Sequence, residues 1–304
     1  MSLKPRMSKL HRREALTGYL FISPWIVGFL VFVLFALIYA FYISLTDWDL
    51  LRAPNFIGLQ NYSNLFQDSR FMQSIKVTLT FAFVSVPLNI AVGLCIALML
   101  NMNIKPLGFW RTLYYFPSII SGIAVAMMWL WVFNPDFGII NYLLRFIGIR
   151  GPGWITSPQW ALPSFIIMGV WAAGGGMVIY LAGLQGIPTE LYESASIDGA
   201  SSWHRFWSIT VPMMTPVLFY NLIIGIIGAL QLFVPAFIIT SGGPNNATLF
   251  YGLYFYLNAF RYFRMGYASA MAWLLFLFAL LITLILFKTS NRWVFYSDSD
   301  SDGR

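Results

Sequence analysis

Six stretches of at least 23 residues in this chain contain no Asp, Glu, Lys or Arg. They lie between Glu14 and Asp47, Lys76 and Lys105, Arg111 and Asp136, Arg150 and Glu190, Arg205 and Arg261, and Arg264 and Lys288. A helix needs about 20 apolar residues to cross the hydrocarbon of a bilayer. With no water there to meet free backbone groups, helices satisfy them internally. The pattern therefore predicts an all-α membrane protein with six transmembrane helices near residues 17–44, 75–101, 111–133, 160–184, 213–239 and 266–288. The Arg205–Arg261 gap is long enough for two spans. Its turn cluster Ser241-Gly-Gly-Pro244-Asn-Asn leaves Ala247–Phe260 too short to cross, so that piece is read as interfacial or re-entrant. Pro24, Pro87, Pro117, Pro163, Pro216 and Pro235 fall in or at the ends of these spans and predict bent helices in a packed bundle.

Composition agrees with a lipid environment. Apolar residues make up 59% of the chain and charged ones 10%, against about a quarter charged in soluble domains. The net charge of +7 does not point to nucleic acid. Five of the eighteen basic residues (Lys4, Arg6, Lys9, Arg12, Arg13) immediately precede the first span, as a topology signal does. That span is far longer than the roughly 7–15-residue apolar region of a signal peptide, and no small-residue cleavage site follows it. The expected organisation is a basic cytoplasmic tail at 1–16, a six-helix domain at 17–288 and a second cytoplasmic tail at 289–304. Both termini inside leaves eleven basic residues on the cytoplasmic side and seven outside. Cys95 has no disulfide partner and reads as a small packing residue; His11 and His204 lack metal-ligand spacing.

The chain offers no catalytic constellation. There is no G-x-x-x-x-G-K-[ST] phosphate loop and no G-x-S-x-G elbow. No Asp, Glu, Lys or Arg lies mid-span, whereas ion-coupled transporters place ionisable groups, or broken helices, along their pathway. A chain of this kind that moves solute takes its energy from elsewhere.

The polar segment between the fourth and fifth spans, 185–212, supplies the candidate. It contains Glu193-Ser-Ala-Ser-Ile-Asp-Gly199, then Ile209-Thr-Val-Pro212. Thr189 is the expected cap of a short helix, Glu190 and Glu193 suit its positive end, and Gly199 stops it. Ser201 or Ser202 then caps a second helix at Trp203–Ile209. Ser194, Ala195 and Ala200 beside Leu191 and Tyr192 make a compact face. It fits a groove on a protein, or lies on lipid as an interfacial helix.

The spacing Glu-x-Ala, three residues, Gly, nine residues, Ile-x-x-Pro resembles the EAA loop of bacterial ATP-binding-cassette import permeases. Ser194 replaces the first alanine of that pattern and Val211 its leucine. Ser44-Leu-Thr-Asp-Trp48, Phe56-Ile-Gly-Leu-Gln-Asn-Tyr62, Phe133-Asn-Pro-Asp-Phe-Gly138, Leu184-Gln-Gly-Ile-Pro188 and Thr240-Ser-Gly-Gly-Pro244 resemble the carbohydrate branch of the family. The resemblance implies an inner-membrane permease with the type I importer fold. It implies a second homologous permease, two ATP-binding subunits that use ATP and Mg, and an extracytoplasmic substrate-binding protein, with no cofactor in this chain. Glu190, Glu193, Ser194, Ala195, Asp198, Gly199 and Ala200 would form the coupling helix.

For a sugar pathway the candidates are Trp171, Tyr180, Asn221 and Gln231, because sugars are held by aromatic faces and amide or hydroxyl groups. Packing and interhelical hydrogen bonding are the alternative roles for each. Gly174-Gly-Gly176 marks either close helix packing or a widened wall; a widened wall would favour an oligosaccharide. Glycerol 3-phosphate as the solute, or a stand-alone channel, are the competing functions.

Overall fold

The structure is a computed structural model that describes residues 9–102 and 105–295. The start of the basic tail and the Ser297–Asp302 run lie outside the described residues. The helices, in chain order, are α1 (Lys9–Gly28), α2 (Phe35–Ser44), α3 (Gln60–Gln67), α4 (Ser69–Leu100), α5 (Leu107–Ile119), α6 (Gly122–Val132), α7 (Ile139–Phe146) and α8 (Pro158–Trp171). They continue with α9 (Met177–Gln185), α10 (Thr189–Ile197), α11 (Ser202–Arg205), α12 (Val211–Leu230), α13 (Val234–Ile239), α14 (Tyr251–Tyr256) and α15 (Met265–Ser290). One two-residue hairpin pairs β1 (Thr46–Asp47) with β2 (Asn55–Phe56).

Five helical runs among the described residues are long and apolar enough to cross a membrane: Arg13–Ser44, Ser69–Leu100, Pro158–Gln185, Ser202–Ile239 and Met265–Ser290. The expected span at 111–133 is not one rod. α5 and α6 meet at a 98° bend, and they make a sixth crossing only if counted together. Pro117 sits in the last turn of α5, where it frees a carbonyl and ends the helical ladder. The fourth and fifth spans are also interrupted, by a tight 3₁₀ turn at Ala172–Gly176 and by the non-helical residues between α12 and α13. Cys95, expected in packing, is exposed on the surface of α4.

The chain divides into two compact units. The first comprises the described residues up to Leu65 together with Asn258–Trp273. Here the Phe56–Tyr62 motif acquires its physical reason. Asn61 is buried, and its amide nitrogen donates to the carbonyls of Ser44 and Thr46, both at 2.9 Å. The Ser44 hydroxyl lies 2.8 Å from that of Tyr62, and the Met265 N–H donates to Trp48 O at 2.8 Å. In the loop that follows β1, the backbone N–H groups of Arg52 and Leu51 donate to Asp49 and hold its carboxyl below the usual carboxylate range. Asn61→Leu would strand two buried carbonyls, at about 1–3 kcal/mol each. The expected result is a lower melting temperature in detergent; an unchanged one would show that Asn61 is not the staple.

The second unit comprises Phe66–Leu257 and the described residues from Leu274. α4 is its centre, packed against α8, α9 and α12. Ala97, Tyr180, Leu181, Leu184, Ile187 and Met214 form a buried cluster, with Ile90, Leu94 and Tyr192 against it. The short Ala247–Phe260 piece starts out packed into the helices of this unit. Phe250 is fully buried against Phe81 and Phe165, and the Tyr251 N–H donates to Thr78 Oγ1 at 2.8 Å. Large side chains such as Phe83, Leu281 and Leu284 are exposed, as they would be facing lipid.

Candidate functional site

Two features of the second unit bear on function: a short protruding helix and a cavity within the bundle.

The helix is α10. Pro188 occupies its N-cap without a side-chain hydrogen bond, so Thr189, the expected cap, is instead the first helical residue. Proline fixes the entry angle here because the ring sets φ, and Glu190 in the first turn complements the helix dipole. The exit is as expected. Gly199 has φ +77°, its N–H donates to Ser196 O at 3.1 Å, and the Ala200 N–H donates to Ala195 O at 2.9 Å. This pair of bonds is a Schellman motif, which needs a left-handed residue where glycine stands. The Ser201 side chain then accepts from the His204 N–H at 3.3 Å and caps α11. The second short helix does not end at Ile209; it continues through a π-helical turn at Phe206–Thr210 into α12.

No residue of α10 is buried. Ile197 is 88% exposed, and among the described residues the carboxylates of Glu190, Glu193 and Asp198 make no ion pair. Ser194 and Ala195 lie on the same turn, and Ala200 follows the stop. A helix half-buried at only Tyr192 and Ala195, and otherwise exposed, leaves most of its surface to a partner.

The cavity, of about 330 Å³, lies between α4, the α8–α9 pair and α12. Its polar groups are Ser85, Asn89, Tyr180 and Asn221. The Asn89 amide nitrogen donates to Ser85 O at 2.7 Å and that of Asn221 to Val217 O at 2.8 Å. Asn89 Nδ2 also donates to Ser85 Oγ at 2.9 Å, so both amide oxygens and one N–H of Asn221 are left for other partners. Tyr180 is 3% exposed, and its hydroxyl has no hydrogen-bond partner among the described residues. Gly93 makes room for its ring: a Cβ there would stand 2.8 Å from Tyr180 Cε2. No charged residue lines the cavity.

Three of the seven residues proposed for the pathway therefore meet here: Gly176, Tyr180 and Asn221. The other four lie elsewhere. Trp171 stands edge-on to Trp129 at 5.8 Å, in an aromatic ladder that runs on through Phe133 and Trp154 to Trp160. Gln231 is exposed as the C-cap of α12. Gly174 and Gly175 face α5, where added Cβ atoms would stand 2.1 Å from Tyr114 O and 3.1 Å from Ser118 Cβ. Close packing is thus the role of the first two glycines, and Gly176 alone of the three opens onto the cavity. Ser85 and Asn89 escaped the sequence reading. They lie four residues apart on one helical face, which a search for isolated polar residues in spans would have found.

A second cleft, of about 360 Å³ between α4 and α15, has apolar walls. Its Thr78 hydroxyl already accepts from Tyr251, so it has little with which to orient a polar solute.

Residues 89–296 match the family model described as binding-protein-dependent transport system inner membrane component. The match takes in most of the cavity wall and the whole of α10–α12. The chain belongs to that family. It is a permease component, without an ATPase of its own. It is 46% identical over 300 residues to the probable ABC transporter permease protein YesP of Bacillus subtilis (strain 168), covering 97% of each chain. Identity is 38% over 289 residues to the trehalose/maltose transport system permease protein MalF of Thermococcus litoralis, covering 93% of this chain and 97% of that one. Among solved structures, a bacterial alginate ABC transporter in complex with an alginate pentasaccharide-bound periplasmic protein superposes with a TM-score of 0.79 at 28% identity. It covers 95% of this permease and 98% of that chain.

Proposed function

We propose that this chain forms half of the membrane pathway of an ATP-driven importer for a sugar, an oligosaccharide in particular. The observation that carries the sugar reading is the uncharged cavity with a buried, unpartnered phenol and two free amide oxygens. Such a wall reads hydroxyl groups. A phosphate would want fixed positive charge, and the cavity has none, which weighs against glycerol 3-phosphate. At about 330 Å³ the pocket is at the small end of ligand sites, so a longer chain extends beyond it toward the second permease. The printed functions of the relatives, trehalose/maltose uptake and an alginate pentasaccharide, support the oligosaccharide class.

In this reading both termini are cytoplasmic, and α10, with Glu190, Glu193, Ser194, Ala195, Asp198, Gly199 and Ala200, seats in a cleft of one of two ATP-binding subunits. Those subunits supply the ATP and Mg chemistry; an extracytoplasmic binding protein delivers the substrate. The exposure of α10 favours this over a stand-alone channel.

The test is uptake by the reconstituted importer, assayed with neutral oligosaccharides and with glycerol 3-phosphate. Oligosaccharide uptake that requires ATP is expected. Tyr180→Phe should raise the apparent KM about 3–10-fold, the size of one neutral hydrogen bond, without lowering assembly. Uptake of glycerol 3-phosphate alone, or flux without ATP, would overturn the reading.

A further inference from the structure

We infer that Tyr192, Ser196, Arg205 and Thr210 are positioning residues: they clasp α10 to the base of α12 so that the two move as one lever. The inference rests on the reading of α10 as the coupling helix. None of the four belongs to the Glu-x-Ala…Gly pattern that marks the loop.

Apart from the packing of Tyr192 against the bundle, α10 has little else to hold it. It has no buried residue, and its covalent links are the Pro188 entry and the Gly199 turn. A helix tied only at its ends would swing when pushed. Two side-chain bridges prevent that. The Tyr192 hydroxyl lies 2.9 Å from Thr210 Oγ1, and Thr210 is 6% exposed. The Tyr192 ring packs against the cluster of Ala97, Leu184, Ile187 and Met214, which fixes the phenol. One turn further along α10, Arg205 Nη1 donates to Ser196 Oγ at 2.8 Å, while Nη2 donates to Ser202 Oγ at 3.2 Å. The Ser196 hydroxyl in turn donates to Tyr192 O at 2.7 Å, which joins the two bridges.

Both bridges end on the helical run that becomes α12. Thr210 closes the π-helical turn, and α12 begins at the next residue. Asn221, on the cavity wall, is eleven residues beyond Thr210, about 17 Å along the helix. A displacement of α10 is therefore handed to a continuous helical run whose far part lines the cavity. Coupling between sites at this range needs such a physical chain. The clasp supplies its first link.

The test uses the whole importer, with both permeases, the ATPases and the binding protein, in proteoliposomes. Substrate transported per ATP hydrolysed is measured for Tyr192→Phe, Thr210→Val, Arg205→Gln and Thr210→Ser. Phenylalanine and valine remove one hydroxyl each at nearly constant shape, so the fold is retained and checked by co-purification of the ATPases. Tyr192→Phe combined with Arg205→Gln should lower transport per ATP at least tenfold while binding-protein-stimulated hydrolysis persists. Tyr192→Phe and Thr210→Val should together do no more than either alone, because they break one bond. Thr210→Ser should behave as wild type. Unchanged transport per ATP, or uptake and hydrolysis falling in parallel, would overturn the clasp. Glu193→Lys in the same preparation separates the two readings. If it leaves uptake intact, the coupling helix itself is misassigned and the clasp falls with it. If it abolishes uptake while the clasp variants keep wild-type transport per ATP, only the clasp fails.

Discussion

Glu193→Lys should abolish uptake while leaving the chain in the membrane and folded. Glu193 is exposed and makes no ion pair among the described residues, so its removal breaks nothing within the chain. Reversing its charge near the positive end of α10 costs at most about 1 kcal/mol, too little to unfold a helix framed by Pro188 and Gly199. Against a partner the arithmetic differs. Truncating a buried charged contact costs about 2–5 kcal/mol, more than tenfold in affinity, and a reversed charge adds repulsion. The ATPase subunits should therefore co-purify poorly or hydrolyse ATP without transport. Wild-type uptake by the variant would show that α10 does not couple. Gly199 offers a graded companion test. A Cβ there meets nothing within 4 Å, so any penalty is conformational, from φ +77°. Asparagine, which tolerates that region, should retain most activity, alanine less, and valine least. An order that followed side-chain size alone would point to contact with a partner instead.

The second large effect separates two glycines of one run. Gly174→Val should prevent assembly, because its Cβ would stand 2.1 Å from the backbone oxygen of Tyr114. A backbone oxygen cannot rotate away as a side chain does. Relieving the clash means moving α5 off the 3₁₀ turn, at about 3 kcal/mol or more, the top of the usual range for overpacking. Gly176→Val, two residues on, should leave expression and detergent melting near wild type. There the nearest atom, Tyr180 Cε2 at 3.2 Å, belongs to a ring beside a cavity, and the Asn221 amide oxygen stands 3.7 Å away. Its cost should fall on uptake, through a displaced Tyr180 and a smaller cavity. Size-exclusion profiles, melting curves and uptake of the two variants check this. Equal loss of assembly in both would remove Gly176 from the cavity wall; a well-folded Gly174→Val would contradict the packing against α5.

Much of this was legible along the chain. The charge-free stretches gave the membrane-crossing runs because the bilayer imposes one length and one solvent on every span. The Glu193–Gly199 segment announced a stopped helix because a left-handed residue is a local requirement, and the structure meets it at Gly199. The Ala247–Phe260 piece was too short to cross, and its Leu249–Tyr251 stretch is buried in the second unit. The cap of α10 was less legible. Proline and threonine both suit a helix start, and only the backbone angles at Pro188 decide between them.

The cavity was legible in part. Tyr180 and Asn221 stood out as polar groups in spans, yet so did Trp171 and Gln231, which lie in an aromatic ladder and at an exposed helix end. Residue type alone cannot separate these, since which face of a span turns inward depends on how the neighbouring helices pack. Pro117 marked a bend in the third span, but not that it reaches 98°, which depends on how α5 and α6 pack. The sequence by itself determined that this chain lives in a membrane, how many apolar runs it has and which loop projects from it, because hydrophobic length and local backbone preference are properties of short segments. The tertiary structure alone decided which polar groups share a cavity, which glycines are filled by a neighbour, and that α10 is bridged to α12 by Tyr192 and Arg205. Those depend on distances between residues far apart in the chain, and only packing sets them.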